Sequence, residues 1–267
     1  MKISICGKGG SGKSTLVALL ANEFRRRGQK VLVVDSDESN AGLHFMLGMD
    51  EPPTPLMELA GGRKEVRQTL KETGEEASVL ARDRILVEDL PADQLRTEGD
   101  VSLAAVGKIH QALEGCACPI GVLSREFLKR LDPGPDRIVL VDMEAGVEHF
   151  GRGVETSVDA VIAVVEPTME SVSLAKRIQE LADATGARFA GVVLNKVGSD
   201  NIRSRIEEKL EGAGLPVIGV VGQNPEITEA ALEGEPLPPG TAAEEIRAVA
   251  DAVAAQAGTP AGEDAPA

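Results

Sequence analysis

Gly7-Lys8-Gly9-Gly10-Ser11-Gly12-Lys13-Ser14 lies between an apolar β-type run, residues 2–6, and a segment of helical period, residues 14–27. A loop leading from a strand into a helix N-terminus aims several backbone N–H groups and the positive helix end at one point. Gly7, Gly9, Gly10 and Gly12, with Ser11 among them, let that backbone approach phosphate oxygens without Cβ clashes. Lys13 supplies positive charge for the β- and γ-phosphates, and the Ser14 hydroxyl is placed to ligate Mg²⁺, with Thr15 next on the helix. The strand–loop–helix context raises the match above a merely Gly-rich turn. The reading is a phosphate-binding loop that takes ATP and Mg²⁺ and hydrolyses ATP to ADP and phosphate.

Outward from the loop, Leu16, Leu19, Leu20 and Phe24 recur at helical spacing, and Gly28 follows as a stop signal. Strands are expected over residues 30–35 (KVLVVD), 137–142 (RIVLVD), 158–165 and 189–194. Such near-continuous apolar strands belong to a sheet covered on both faces. Leu174, Ile178, Leu181 and Ala182 mark one further helix, Ile202, Ile206 and Leu210 another, and Ile246, Val249, Ala250 and Val253 a last one. The fold class is therefore α/β, a single domain over residues 1–257 with a mostly parallel central sheet and helices on both faces. Residues 50–100, rich in charge, Pro and Gly, read as an elaborated insertion with a short helix near 64–73. Residues 258–267 (GTPAGEDAPA) read as a disordered tail.

The chain has 267 residues, with 28 Lys and Arg against 43 Asp and Glu, for a formal charge of −15. A field of that sign repels nucleic acid and anionic lipid, so neither is an expected partner. Trp and Tyr are absent, which removes the usual stacking platforms for single-stranded nucleic acid. No apolar run is long enough to span a bilayer. Met1 leads straight into the first strand without a secretory segment, so a cytoplasmic location is expected, and the three cysteines are expected to be reduced.

Lys8 has no local role in an ordinary phosphate loop. The string KGG-x-GK[ST] resembles the "signature lysine" subgroup that contains MinD, ParA, the arsenite-pump ATPase and the nitrogenase iron protein. The resemblance implies that Lys8 reaches across a homodimer interface to the partner's nucleotide. Asp35 and Asp37 follow the second strand, and Asp142 ends the strand RIVLVD; carboxylates at these positions sit on the ligand side of an open α/β sheet. Asp142 is expected to hold Mg²⁺ through water, with Asp35 supporting the metal's water shell. By resemblance, Asp37 activates the attacking water and the Gly146 amide senses the γ-phosphate. The same resemblance places Asn195 against adenine and Pro225 over the base. The catalytic set is then Lys8, Lys13, Asp37 and Asp142.

Cys116-Ala117-Cys118 offers two thiols one residue apart, half of a tetrahedral site for a soft metal. A two-fold dimer would bring two such pairs together on its axis. Taken alone the pair is two ordinary thiols in a loop; Cys6, in the first strand, reads as a packing residue. VGKIHQALEGCACP, VDMEAGVEHFGRGVE, VVEPTMESV and LNKVG look like the CooC family of accessory ATPases for nickel insertion into carbon monoxide dehydrogenase. The likeness runs from Met1 to about residue 227. It implies Ni²⁺ or Zn²⁺ at Cys116 and Cys118 between subunits, and delivery of nickel to a client enzyme. Glu148, His149 and Arg152 are placed to couple nucleotide state to the interface, although His149 reads better as an interface or packing histidine with no metal. Two other classes compete. A MinD/ParA-like positioning ATPase would need a basic C-terminal helix or surface, and an iron–sulfur cluster carrier would hold its cluster with cysteines at other spacings.

Overall fold

The alternation of strand and helix becomes one eight-stranded sheet in the computed structural model of the chain, which describes residues 1–73, 80, 82–108 and 118–257. The strands are β1 (Lys2–Gly7), β2 (Lys30–Asp35), β3 (Ile85–Leu86), β4 (Arg96–Glu98), β5 (Val101–Ala105), β6 (Leu131–Asp132), β7 (Arg137–Asp142), β8 (Ala160–Val165), β9 (Arg188–Val197) and β10 (Val217–Gly222). Their order is β10-β9-β8-β1-β7-β2-β5-β4, with β3 and β6 forming a separate short pair. Every pair in the large sheet is parallel except β4 with β5. Alternate side chains of each strand enter two distinct cores, as the period of two requires: Ile3 and Ile5 face one way and Cys6 the other.

The helices are α1 (Lys13–Arg26), α2 (Leu43–Met46), α3 (Gly62–Thr73), α4 (Cys118–Arg130), α5 (Glu148–Gly151), α6 (Met169–Thr185), α7 (Asp200–Gly212), α8 (Pro225–Glu233) and α9 (Ala243–Ala257). Leu16, Leu20 and Phe24 of α1 share a core with Ile246, Val249 and Val253 of α9. On the opposite face Val66 of α3, Leu123 and Phe127 of α4, Ile178 of α6 and Leu210 of α7 pack together. The expected α/β class, with its mostly parallel sheet and two helical layers, is what forms. Among the described residues no helix is long and apolar enough to cross a membrane.

Some boundaries differ from the sequence reading. β8 starts at Ala160, because a 3₁₀ turn over Val154–Ser157 precedes it and the Val158 amide bonds the Glu155 carbonyl. β9 runs on to Val197, so Asn195 lies inside the strand. β5 and β10 were not expected at all. Within the 50–100 stretch, a 3₁₀ turn (Leu56–Ala60) and α3 place Leu56, Met57 and Val66 in the main core, so the insertion is part of the packed domain. The expected tail, residues 258–267, lies outside the described residues.

Glu23 anchors the far end of α1. Its carboxylate accepts bonds from Arg26 Nε at 2.7 Å, Arg26 Nη2 at 2.8 Å and Arg27 Nε at 2.7 Å. Arg27 also reaches Asp251 of α9 at 2.7 Å. The Arg26 bonds, joined by Arg27 and opposed by burial, hold the Glu23 carboxyl down from 4.5 to about 2. A depressed carboxyl contributes stability that is present above its unfolded pKa and is lost as pH falls through its folded value. Glu23→Gln is therefore expected to cost about 1–2 kcal/mol at neutral pH. In denaturant titrations the gap from wild type should narrow as pH drops from 4.5 towards about 2; a gap independent of pH would assign the loss to packing.

Candidate functional site

β1, β7 and β2 lie side by side, and Asp35 and Asp142 end their strands as register partners. The phosphate loop leaves β1 at the same carboxyl end of the sheet. Ser14 Oγ donates to Asp142 Oδ2 at 2.6 Å, and Asn40 Nδ2 reaches Ser14 Oγ at 2.8 Å and Asp142 Oδ2 at 3.1 Å. Asp142 is fully buried, and its Oδ1 has no hydrogen-bond partner among the described residues. Burial, opposed by Ser14 and Lys13, pushes this carboxyl up to about 6. A hydroxyl beside an under-satisfied buried carboxylate is a donor set suited to Mg²⁺, which Ser14 would hold directly and Asp142 through water.

The loop itself leaves no room for larger residues at two points. A Cβ on Gly7 would lie 2.6 Å from the Val164 carbonyl oxygen, and one on Gly12, whose φ is +94°, would lie 2.2 Å from Asn195 Nδ2. Lys13 is buried, and its Nζ reaches back across the loop to the Lys8 carbonyl at 3.4 Å. Ser11 Oγ is buried without a hydrogen-bond partner among the described residues. Lys8 turns away from this cradle: its Nζ donates to Glu170 at 2.8 Å and pairs with Glu166 at 3.5 Å, and the bond to Glu170 raises its pKa.

Asp37 and Asp35 gather around the same point. Asp37 accepts from the Ser39 amide at 2.9 Å and from Ser39 Oγ at 2.6 Å, which fixes its loop beside Asp142. Asp35, expected to support the metal's water shell, is paired with Lys108 Nζ at 2.6 Å. Burial pushes Asp35 up to about 7 against the pull of that lysine. Lys108 also donates to the carbonyls of Asp37 and Asn40, so one ammonium ties the whole 37–40 loop to the end of β2. Asn40 and Lys108 were not among the residues read from the sequence. Asn40 sits in the string VVDSDESN and Lys108 in VGKIHQALEGCACP, but neither string states which residue will fold back onto Asp142 or Asp35.

Asn195, Thr15 and Pro225 line one cavity of about 560 Å³ with Gly198, Gln223 and Asn224. Asn195 Nδ2 donates to the Ser11 carbonyl at 2.8 Å, so it braces the loop from the side where a base would lie. Pro225 opens α8, where Asn224 Oδ1 caps the Glu226 amide at 2.8 Å. The Gly146 amide bonds the Gly7 carbonyl at 3.2 Å, joining the loop after β7 to the phosphate loop. His149 is buried, bonds Glu155 through Nδ1 and meets the Gly146 carbonyl with Nε2 at 3.2 Å. Burial pulls this imidazole down, but Cys6 and Glu155 outweigh it and push it up to about 10. Arg152 pairs with Glu144, while Glu148 turns back to accept from the Val147 amide. Cys116 lies outside the described residues, and Cys118 is the first residue of α4.

Comparison with known proteins agrees with this geometry. The CobQ/CobB/MinD/ParA nucleotide binding domain family matches residues 3–237. An uncharacterized ATP-binding protein of Methanocaldococcus jannaschii is 47% identical over 89% of this chain and 94% of its own. The carbon monoxide dehydrogenase accessory protein CooC of Rhodospirillum rubrum is 33% identical over 74% of this chain and 75% of its own. Among solved structures, the septum site-determining protein MinD of Pyrococcus horikoshii, complexed with Mg-ADP, superposes with a TM-score of 0.69 at 22% identity, covering 96% of this chain and 97% of that one. That last likeness concerns the fold. The chain belongs to the CobQ/CobB/MinD/ParA nucleotide-binding domain family, and it is a P-loop ATPase.

Proposed function

We propose that this ATPase is a nickel metallochaperone: a nucleotide-dependent homodimer that holds Ni²⁺, or Zn²⁺ in its place, between subunits through Cys116 and Cys118. Its client in this reading is carbon monoxide dehydrogenase. The observation that carries the proposal is the Cys116-Ala117-Cys118 pair in a chain 33% identical to a carbon monoxide dehydrogenase accessory protein. Mg²⁺ bound with ATP would neutralise phosphate charge and orient the terminal phosphate for in-line attack. Within the chain, Ser14 and Asp142 hold the ion's place, Lys13 offsets charge developing on the transferred group, and Asp37 orients the attacking water. Lys8 supplies a further positive charge to the partner's site. Asn195, Thr15 and Pro225 hold the base. Contacts to the terminal phosphate, lost on hydrolysis, give the dimer two states through Gly146 and the 37–40 loop.

The test is metal content. The protein is purified without oxygen, loaded with Ni²⁺ or Zn²⁺, and compared with Cys116→Ala/Cys118→Ala. The wild type is expected to hold about one ion per dimer more than the variant, shared between the two pairs. An iron–sulfur chromophore in place of nickel or zinc would overturn the reading in favour of a cluster carrier. Binding to vesicles or DNA without any metal dependence would favour a positioning ATPase.

A further inference from the structure

A second constellation of ligand atoms lies inside the domain. Cys6 of β1, His149 of α5 and Glu155 of the turn over Val154–Ser157 come from three separate segments. One donor atom from each lies within 4.8 Å of the other two. Their exposures are 0%, 1% and 0%, so this is an interior site. Glu155 Oε2 is buried and has no hydrogen-bond partner among the described residues, although Oε1 is bonded to His149. Burying a thiol, an imidazole and a carboxylate together is costly where an aliphatic residue would pack as well. A carboxylate oxygen left unpaired adds to that cost, and a cation would recover it.

We propose that Cys6, His149 and Glu155 form an internal site for one soft divalent transition-metal ion, Ni²⁺, Zn²⁺ or Co²⁺, separate from Cys116 and Cys118. The mixed sulfur, nitrogen and oxygen donor set suits these ions and not Mg²⁺. Three protein ligands leave a fourth position open. Binding releases to solvent both the Cys6 thiol proton and the proton on the imidazole nitrogen that binds the metal, so that thiolate and carboxylate together neutralise the dication. A small cavity of about 10 Å³ reaches His149 between Ser36, Ile120, Gly121, Glu144 and Arg152, room for about one water. The Arg152–Glu144 ion pair lines this cavity, and Ile120 and Gly121 lie two and three residues after Cys118. The site also touches the nucleotide machinery. His149 bonds the Gly146 carbonyl, the Gly146 amide bonds Gly7, and Gly7 follows Cys6. Metal occupancy and nucleotide binding are thereby linked, each changing the other's affinity by the same factor.

The full-length Cys116→Ala/Cys118→Ala protein, stripped with chelator, is titrated with Co²⁺. About one ion per chain is expected, with a thiolate-to-cobalt charge-transfer band, and addition of Cys6→Ser is expected to remove the band. X-ray absorption on the Co²⁺-loaded double variant should show one sulfur with nitrogen and oxygen ligands, a readout that does not depend on the triple variant folding. Absence of the band from the double variant, its survival in Cys6→Ser, or a sulfur-free coordination shell each overturn the proposal. Loss of all metal from the double variant would leave the Cys116/Cys118 chaperone reading standing and remove this one. Sulfur-ligated Co²⁺ retained there, and lost with Cys6→Ser, would support the internal site whatever the client proves to be.

Discussion

Lys8→Ala is expected to reduce ATP hydrolysis by about 10³-fold or more while ATP and ADP still bind. The side chain makes its contacts away from the phosphate cradle, at Glu166 and Glu170, and is one-third exposed. Removing it leaves the loop amides, Lys13 and the Ser14–Asp142–Asn40 cluster unchanged, so nucleotide retention should persist. In the proposed homodimer this ammonium would lie at the partner's nucleotide, and a positive group supplied in trans contributes about 10³–10⁵ to phosphoryl transfer. Release from Glu166 and Glu170 would be part of that move. Phosphate release and calorimetric nucleotide titration on the same preparation separate the outcomes. Loss of binding would mean that Lys8 acts within its own site, and unchanged turnover would mean that it supplies nothing to either site.

Gly12→Ala is expected to lower nucleotide affinity by about 100-fold or more, with the sheet still folded. Two costs coincide at this position. The backbone φ of +94° is one that a residue with a Cβ rarely adopts, and the new methyl would lie 2.2 Å from Asn195 Nδ2. Asn195 could swing aside only by giving up its bond to the Ser11 carbonyl, which leaves that side of the loop unbraced. The loop would then relax and turn its amides away from the phosphate position. Far-ultraviolet circular dichroism matching wild type, with equilibrium dialysis showing the loss of ADP binding, is the expected pair of results. Wild-type affinity would show that the loop tolerates the strain.

The loop, β2, β7 and the long helices were legible because each carries a strong local pattern: glycines at fixed spacing, near-continuous Val and Leu, or apolar residues at helical period. β5 was missed because VSLAA is short and rich in small residues, and only its pairing between β2 and β4 makes it a strand. β10 was missed because Gly219 and Gly222 interrupt VIGVVG. Gly219 is needed because the Val249 side chain occupies the space its Cβ would take, at 2.2 Å. Asp142 could be placed from its own strand end. Its partner Asn40 could not, since 102 residues separate them and only the folded loop brings them to 3.1 Å. The same holds for Lys108 and Asp35, an ion pair at 2.6 Å between residues 73 apart in the chain.

The reversed direction of β4 has a consequence for assembly. A parallel sheet that ended on β5 would expose a row of unpaired amides and carbonyls to any similar strand in solution. The short antiparallel Arg96-Thr97-Glu98 segment pairs its backbone with that row and leaves a three-residue edge that carries both charges. Continuation of the sheet into a second copy is discouraged at this rim.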